Sequence, residues 1–405
     1  MRILVLSQYF WPESFIINDI VRTLDEQGHE VIVATGKPNY PDGKVFDGYR
    51  AAGTQRERFL GRIEVLRVPL WPRGQGGAKN LILNYLSFVC SGLLCLPWML
   101  RGREFDAILV FAPSPITQAI PAILLKWLKR AKLALWVQDL WPDSLAATGF
   151  IRNPRVLKAV GWMVKAIYRC CDLLLVQSRA FVEPVARYAE RQKIIYYPNS
   201  IDAQASRVVG IPEDLIETLD NHFCVTFAGN LGTAQALETL VQAAVHLRDD
   251  PYIRLVLVGS GSRLPWLQAQ KQAHGLDNLI LPGRFPMDAM PSIFERSSAL
   301  LVSLNAEPIF AQTIPSKIQA YLAAGRPIVA ALDGEGARVV HEAKAGLASP
   351  AGQVLPLVAN IRSMFALSAE ARAAMGGSGQ AYFTEHFEMQ MQTRRLTELL
   401  EQACK

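Results

Sequence analysis

Residues 313–331, TIPSKIQAYLAAGRPIVAA, hold the best-defined anion chemistry in the chain. Pro315 suits a first helical position, Gly325 a helix stop, and a strand is expected to begin near Pro327. Thr313, Ile314 and Ser316 would then offer backbone N–H groups, and Lys317 a point charge, to a diphosphate at the helix start. An ordinary capped helix with a solvated lysine fits the same residues and stays open on this segment alone. Two glycine-rich turns, AGNLG at 228–232 and GSGS at 259–262, each follow an apolar strand and precede a helix. Neither leads into Gly-Lys-Ser/Thr nor reads G-x-G-x-x-G, so neither is a Walker loop nor a dinucleotide fingerprint. In SQYFWPESFIIND, residues 7–19, Ser14 is expected to cap a helix whose free N–H groups point into a cleft.

Those groups need elements to position them. Residues 3–6 form a short apolar strand, Ile17, Ile20, Val21 and Leu24 recur at helical spacing, Gly28 stops the helix, and 30–35 return as a β-branched strand. Strand, helix and strand in such succession predict a right-handed parallel crossover. The rhythm continues through strands at 62–68, 106–111, 132–138 and 172–177. It lapses at 201–221, around Gly210 and Pro212, and resumes with strands at 223–228, 254–258, 278–281, 299–303 and 328–331. The expected architecture is α/β: two doubly wound Rossmann-like domains facing across a cleft. The first is expected over 1–200, a linker over 201–221, the second domain over 222–385, and a final helix within 386–405 packing back on the first domain. In such sheets ligands sit beyond the carboxyl ends of the strands.

The chain has 405 residues, enough for two full cores, with 50% hydrophobic and 19% charged residues, a balance that excludes a disordered chain. Its net charge of +6 suits anionic partners. The six cysteines, at 90, 95, 170, 171, 224 and 404, include no Cys-x-x-Cys pair, and no histidines stand at metal-ligand spacing. Neither a disulfide framework nor a zinc site is expected, and a reducing cytoplasm is the simpler setting. The apolar run at 3–6 is too short for a secretory leader, so the chain is expected to start at Met1 or Arg2.

Residues 81–100 carry no charge. Pro97 is expected to end their helix, leaving 81–96 at about 24 Å, short of the roughly 30 Å of a hydrocarbon core. Asn84, Ser87 and Ser91 weaken a span further. A buried helix and a helix dipping into one leaflet are the two alternatives. Neighbouring basic amphipathic segments favour membrane contact: 123–132, with Lys126, Lys129, Arg130 and Lys132 beside Trp127, and 156–169, with Trp162 and Tyr168.

With these motifs in order, the chain resembles the retaining GT-B glycosyltransferases of family 4, especially the fucosamine-transferase-like branch that builds O-antigen and exopolysaccharide. The resemblance runs nearly end to end. It rests on SQYFWPESFIINDI, GHEVIVATGKPNYPDG, WVQDLWPDS, YYPNSID, AGNLGTAQALETLVQAA and TIPSKIQAYLAAGRPIVA. It implies a UDP-sugar donor on the second domain, expected at Gly229, Asn230, Gly232, Gln235, Gly259, Arg284 and residues 313–317. It implies a lipid-diphosphate-linked saccharide acceptor on the first, with Ser14, Asn18 and Asn199 on the acceptor side. The sugar it implies is an N-acetylated deoxyhexose such as fucosamine. The setting it implies is the inner face of the cytoplasmic membrane, against an anionic surface; nucleic acid is not an expected partner.

Departures from the family pattern accompany the matches. The family's two spaced glutamates correspond to Gln312 and Ala320, and its Arg and Lys after the first donor-domain strand to Asn230 and Gln235. Lys317, with Arg284 second, is the remaining cation for a diphosphate. No Asp-x-Asp occurs, so no metal or other cofactor is expected. Asp139, near the position of a histidine in many relatives, and Asp143 are expected at the acceptor face; helix capping is their structural alternative. Together with Lys317 they form the expected catalytic set. A nucleotide-sugar epimerase and a catalytically inert membrane-bound assembly partner remain the rival readings.

Overall fold

The first strands are near-continuous apolar runs, as strands buried on both faces must be. In the computed structural model, which describes residues 1–74, 77–202 and 210–405, the chain divides into two units. One is Met1–Ser200 with Met389–Lys405, and the other is Ile201–Glu388.

The first unit holds β1 (Arg2–Leu6), β2 (Glu30–Thr35), β3 (Gln55–Phe59), β4 (Ile63–Arg67), β5 (Ala107–Ala112), β6 (Lys132–Val137), β7 (Leu173–Val176) and β8 (Ile194–Tyr196). Their order across the sheet is β3-β4-β2-β1-β5-β6-β7-β8, parallel except for β3 against β4. Val5 of β1 sits between Val33 of β2 and Leu109 of β5. The sheet therefore reverses its winding between β1 and β5, which opens a crevice at their carboxyl ends. The first crossover helix, Ile16–Glu26, buries Ile17, Ile20, Val21 and Leu24, the spacing read from the sequence. Each such side chain contributes roughly 1.5–3 kcal/mol on burial. The last helix, Met389–Cys404, joins this core through Met389, Leu396 and Leu400, beside Ile3, Val5 and Trp136. Tyr197 Oη donates to the carbonyl of Gln392 at 3.0 Å, fixing the return.

The second unit holds β9 (Phe223–Ala228), β10 (Ile253–Val258), β11 (Leu279–Gly283), β12 (Ala299–Ser303), β13 (Ile328–Ala331) and β14 (Gly346–Ser349), all parallel, in the order β11-β10-β9-β12-β13-β14. Its switch point lies between β9 and β12. The stretch 201–221, read as linker, differs from that expectation: 203–209 lie outside the described residues, and Glu213–Asn221 is a helix whose Leu215 and Leu219 enter the second unit's core.

The apolar segment also differs. Its helix runs Ala78–Met99 with Pro97 inside, so proline does not end it. Pro97 falls in the last turn, where the residues beyond it still bond back, as Leu100 N does to Leu96 O at 3.0 Å. At 22 residues the helix is about 33 Å long. It is the one helix among the described residues long and apolar enough to cross a membrane, and only 28% of its apolar window is buried. The polar residues face inward: Asn84 Oδ1 accepts from Gln8 Nε2 at 2.7 Å, Ser87 Oγ accepts from Trp71 N at 2.7 Å, and Ser91 Oγ donates to Pro69 O at 2.6 Å. Gly92 lets Pro121 of the next helix approach, since a Cβ there would lie 2.7 Å from Pro121 Cγ. The outward stripe is Ile82, Leu86, Cys90, Leu94 and Trp98, with Leu94 and Trp98 79% and 72% exposed.

On the same side of the sheet, Trp127 and Leu128 of helix Ala119–Lys129 and Val156 and Trp162 of helix Pro154–Cys170 are exposed. Three residues read as part of a membrane-facing surface are engaged elsewhere. Lys126 pairs with Asp172 at 2.8 Å, Lys129 Nζ donates to the carbonyls of Leu100 and Arg103, and Tyr168 is buried in the core. Arg155, Lys158, Lys165 and Arg169 keep their exposure around Trp162.

Candidate functional site

At the second unit's switch point, β9 is followed by Gly229 and β10 by Gly259, both with positive φ (+143° and +148°). The two turns touch: a Cβ on Gly259 would lie 1.8 Å from the Gly229 carbonyl oxygen. Asn230 lies across Gly232 and Gly261, where added Cβ atoms would meet its side chain at 2.6 and 2.7 Å. Gln235 is held by its carbonyl, which accepts from Ser303 Oγ at 2.5 Å. The turn after β12 joins in, with Asn305 Nδ2 donating to Thr233 O at 2.8 Å.

The helix Ser316–Ala323 begins beside these turns. Pro315 is its N-cap rather than its first residue, because an extended ψ of 135° precedes the first turn. The uncapped N–H groups therefore belong to Ser316 and Lys317, and Thr313 and Ile314 precede the helix half-buried. Gly325, at φ +64°, closes the other end as expected. Tyr321 Oη accepts from Ala228 N at 3.0 Å, locking the helix to the end of β9. Lys317 is pressed against Gly229, whose absent Cβ would lie 2.8 Å from Nζ, and its ammonium sits 5.1 Å from the centre of the Phe227 ring. No carboxylate pairs with Lys317 among the described residues, and burial pushes its pKa below the ordinary lysine range. A cation desolvated without a partner gains most from an incoming anion.

Gly229, Asn230 and Gly259 line one pocket of about 400 Å³ with Val258, Ser260, Arg284, Phe285, Met287 and Met290. Arg284 is exposed at its rim. The structure thus brings together the turns, Arg284 and Lys317. The apolar wall of Phe285, Met287 and Met290 escaped the sequence reading, although it stands within six residues of Arg284 in the chain.

The first unit's crevice is built differently. Helix Ile16–Glu26 has Phe15 as N-cap and no side-chain cap, and Ser14 is exposed outside it. The capping expected of Ser14 is therefore absent; Glu13 organises the turn instead. Its buried carboxylate accepts from Phe10 N at 3.1 Å and from Asn39 N and Tyr40 N at 2.8 Å each, while burial raises its pKa. Asn18 is a brace, accepting from Trp11 N at 3.0 Å and donating to Glu13 O at 2.7 Å. Asn199 donates to Gln177 Oε1 at 3.0 Å, and Gln177 donates to Gln138 O, which ties the ends of β6, β7 and β8.

Asp139, after β6, accepts from Trp141 Nε1 at 3.2 Å. Burial raises its carboxyl pKa, opposed by the hydrogen bond from Trp141. Trp141 Nε1 also donates to Ser114 Oγ at 3.3 Å, Tyr85 stands near the charges of Arg73 and Asp139, and Arg73 Nη1 donates to Tyr9 Oη at 3.0 Å. Asp143 does not join this group: it opens the short helix Asp143–Ala147 and faces Arg187 at 3.5 Å, with its side chain 46% exposed. Glu13, Arg73, Tyr85, Ser114 and Trp141 escaped the sequence reading.

Residues 15–200 match the family described as glycosyl transferase 4-like domain, and residues 222–366 match glycosyl transferases group 1; together the matches cover most of the chain. The chain carries a glycosyl transferase 4-like domain followed by a group 1 glycosyl transferase domain. This glycosyltransferase is 28% identical over 341 residues to WcaI of Escherichia coli (strain K12), named for colanic acid biosynthesis, covering 80% of this chain and 82% of that one. Its fold is that of Anabaena HepE, solved with UDP, at a TM-score of 0.68, 15% identity and coverage of 99% and 100%. Sucrose-phosphate synthase of Thermosynechococcus elongatus gives a TM-score of 0.71 at 15% identity, with 99% of each chain covered. The two parallel-sheet units of the glycosyltransferase are thus those of the GT-B fold.

Proposed function

We propose that this glycosyltransferase moves a hexosyl unit, an N-acetylfucosamine-like sugar, from a UDP-sugar to a polyprenyl-diphosphate-linked saccharide during surface polysaccharide assembly. The observation that carries the reading is Lys317, a partly buried cation without a carboxylate, set against Gly229, which lines a pocket with Gly259 and Arg284. The likeness to a protein named for colanic acid biosynthesis and to a fold solved with UDP supports polysaccharide assembly and a uridine donor. The apolar wall of Phe285, Met287 and Met290 suits a base, and Lys317 with the N–H groups of Ser316 and Lys317 suits the diphosphate.

The reaction is retaining. The bond from the sugar's anomeric carbon to the diphosphate breaks, the bond to the acceptor oxygen forms on the same face, and the acceptor's proton passes to the departing phosphate. Lys317 and the backbone N–H groups hold the developing charge without a metal, an electrostatic contribution already in place before reaction. Among the described residues no three of His, Cys, Asp and Glu form a metal-binding group. Asp139 orients the acceptor hydroxyl. The outward stripe on Ala78–Met99 and the basic face around Trp162 seat the first unit on the anionic inner leaflet of the cytoplasmic membrane as an interfacial protein.

Calorimetry with UDP, GDP, dTDP and ADP tests the donor assignment. Micromolar UDP binding that weakens tenfold or more in Lys317→Ala, at least about 1.4 kcal/mol, is the expected result. Failure to bind any nucleotide overturns the reading in favour of an inert assembly partner.

A further inference from the structure

Arg73 differs from Arg2, Arg56, Arg62, Arg67 and Arg103 of the first unit, each of which pairs with a carboxylate. Arg73 has none within ion-pairing distance among the described residues; its guanidinium donates to the neutral Tyr9 hydroxyl and lies over two rings, 5.8 Å from the centre of Tyr9 and 5.2 Å from that of Tyr40. The rings are themselves fixed, Tyr9 stacked on Phe15 at 5.4 Å and Tyr40 against Phe15 at 5.3 Å. Asn39 Oδ1 accepts from Arg73 N at 3.2 Å, and Asn39 N is held by buried Glu13. An arginine oriented by aromatic faces loses little freedom when it binds and presents its planar fork to a phosphate.

Arg73 lines a pocket of about 550 Å³ with Pro41, Asp42, Leu81 and Phe150. Leu81 belongs to the helix Ala78–Met99, and one residue further on begins the exposed stripe of Ile82, Leu86, Leu94 and Trp98. One wall of the pocket thus offers a preset cation, and another leads onto an apolar track. Tyr85 of the same helix stands near both Arg73 and Asp139. The track, the cation and the acceptor-side carboxylate therefore share one neighbourhood.

We infer that Arg73 binds a phosphate of the isoprenoid diphosphate carrying the acceptor saccharide, with the isoprenoid chain laid along the outward stripe of Ala78–Met99. The inference rests on the acceptor class proposed above and assigns it a site. Asp42 in the same pocket opposes the anion, so binding depends on Arg73 keeping its charge. A bilayer headgroup is the competing source of the same phosphate chemistry, and the experiment separates the two.

Farnesyl diphosphate below its micellar concentration is titrated by calorimetry into the full chain, with farnesol and inorganic diphosphate alongside, for wild type, Arg73→Gln and Arg73→Lys of matched melting temperature. Arg73→Gln is expected to weaken farnesyl diphosphate at least tenfold, Arg73→Lys to recover part of that loss, and UDP binding and sedimentation with phosphatidylglycerol vesicles to stay unchanged. Equal affinity for farnesyl diphosphate in wild type and Arg73→Gln overturns the inference. So does a loss of vesicle binding in Arg73→Gln with farnesyl diphosphate affinity intact, which would assign the arginine to the bulk bilayer. These titrations need no donor: Arg73-dependent binding without any sugar transfer would sink the transferase reading alone, and transfer with an acceptor KM indifferent to Arg73 would sink this inference alone.

Discussion

Replacing Gly229 by alanine separates the turn's backbone from the cation it holds. At φ +143° a non-glycine residue costs of order 1–3 kcal/mol, so the melting temperature should fall by roughly 2–12 °C. The new Cβ would lie 2.6 Å from Lys317 Cε and 2.8 Å from Nζ, inside the 3.0 Å that real Cβ contacts respect. A lysine tip is flexible and yields by a few tenths of an ångström or more, so the fold survives and the ammonium leaves its place over Phe227. A hydrogen bond to a charged group contributes about 1.5–3 kcal/mol, so Lys317→Ala should loosen UDP about 10- to 150-fold. Gly229→Ala, which displaces the charge and does not delete it, should loosen UDP by roughly 3- to 30-fold. If displacement is the mechanism, Gly229→Ala adds almost nothing to the UDP affinity of Lys317→Ala, while the melting loss persists in both backgrounds. Titrating UDP and uridine into the four variants reads this directly, with uridine indifferent to both changes. Multiplying losses in the double variant, or a Gly229→Ala chain that melts early yet binds UDP like wild type, would refute the reasoning.

Other outcomes follow from the first unit. With its pKa raised by burial, Asp139 should impose an acidic limb on kcat/KM lying above the ordinary aspartate range, activity falling as the pH drops through it; Asp139→Asn should remove that limb from the pH profile. Glu13→Gln leaves a single acceptor oxygen for three backbone donors and should cost about 1–3 kcal/mol in a denaturant titration, with no change there counting against the role given to Glu13. Leu94→Glu with Trp98→Glu should abolish sedimentation with anionic vesicles while leaving the melting temperature within about a degree, since both side chains are exposed and unsupported by the core. Unchanged sedimentation would detach the stripe from the membrane.

Patterns confined to one element were readable from the chain. The helix Ile16–Glu26 announced itself by four apolar residues at helical spacing, and β5, AILVFA, by an unbroken apolar run. β3 escaped because QRERF is an edge strand with its polar residues in solvent, and helix Glu213–Asn221 because its nine residues bury only two leucines. Pro97 misled because a proline removes its own N–H from the ladder, and the chain beyond it still bonds back, as Leu100 N does to Leu96 O. The turns after β9 and β10 were visible as glycine-rich junctions between strand and helix. Glu13 and Arg73 were not, because their meaning lies in partners 26 and 64 residues away, Asn39 and Tyr9. Ser14 was chosen as a cap on residue type, where the helix in fact starts later and a neighbouring carboxylate takes the backbone donors.

The return of Met389–Cys404 to the first unit orders events on the ribosome. Ile201–Glu388 is a contiguous stretch that can close its sheet as soon as it has emerged, whereas the core around Ile3, Val5 and Trp136 keeps a gap until Met389, Leu396 and Leu400 arrive. The usual N-terminal-first sequence of domain folding is thereby inverted. The half of the protein synthesised first is completed last.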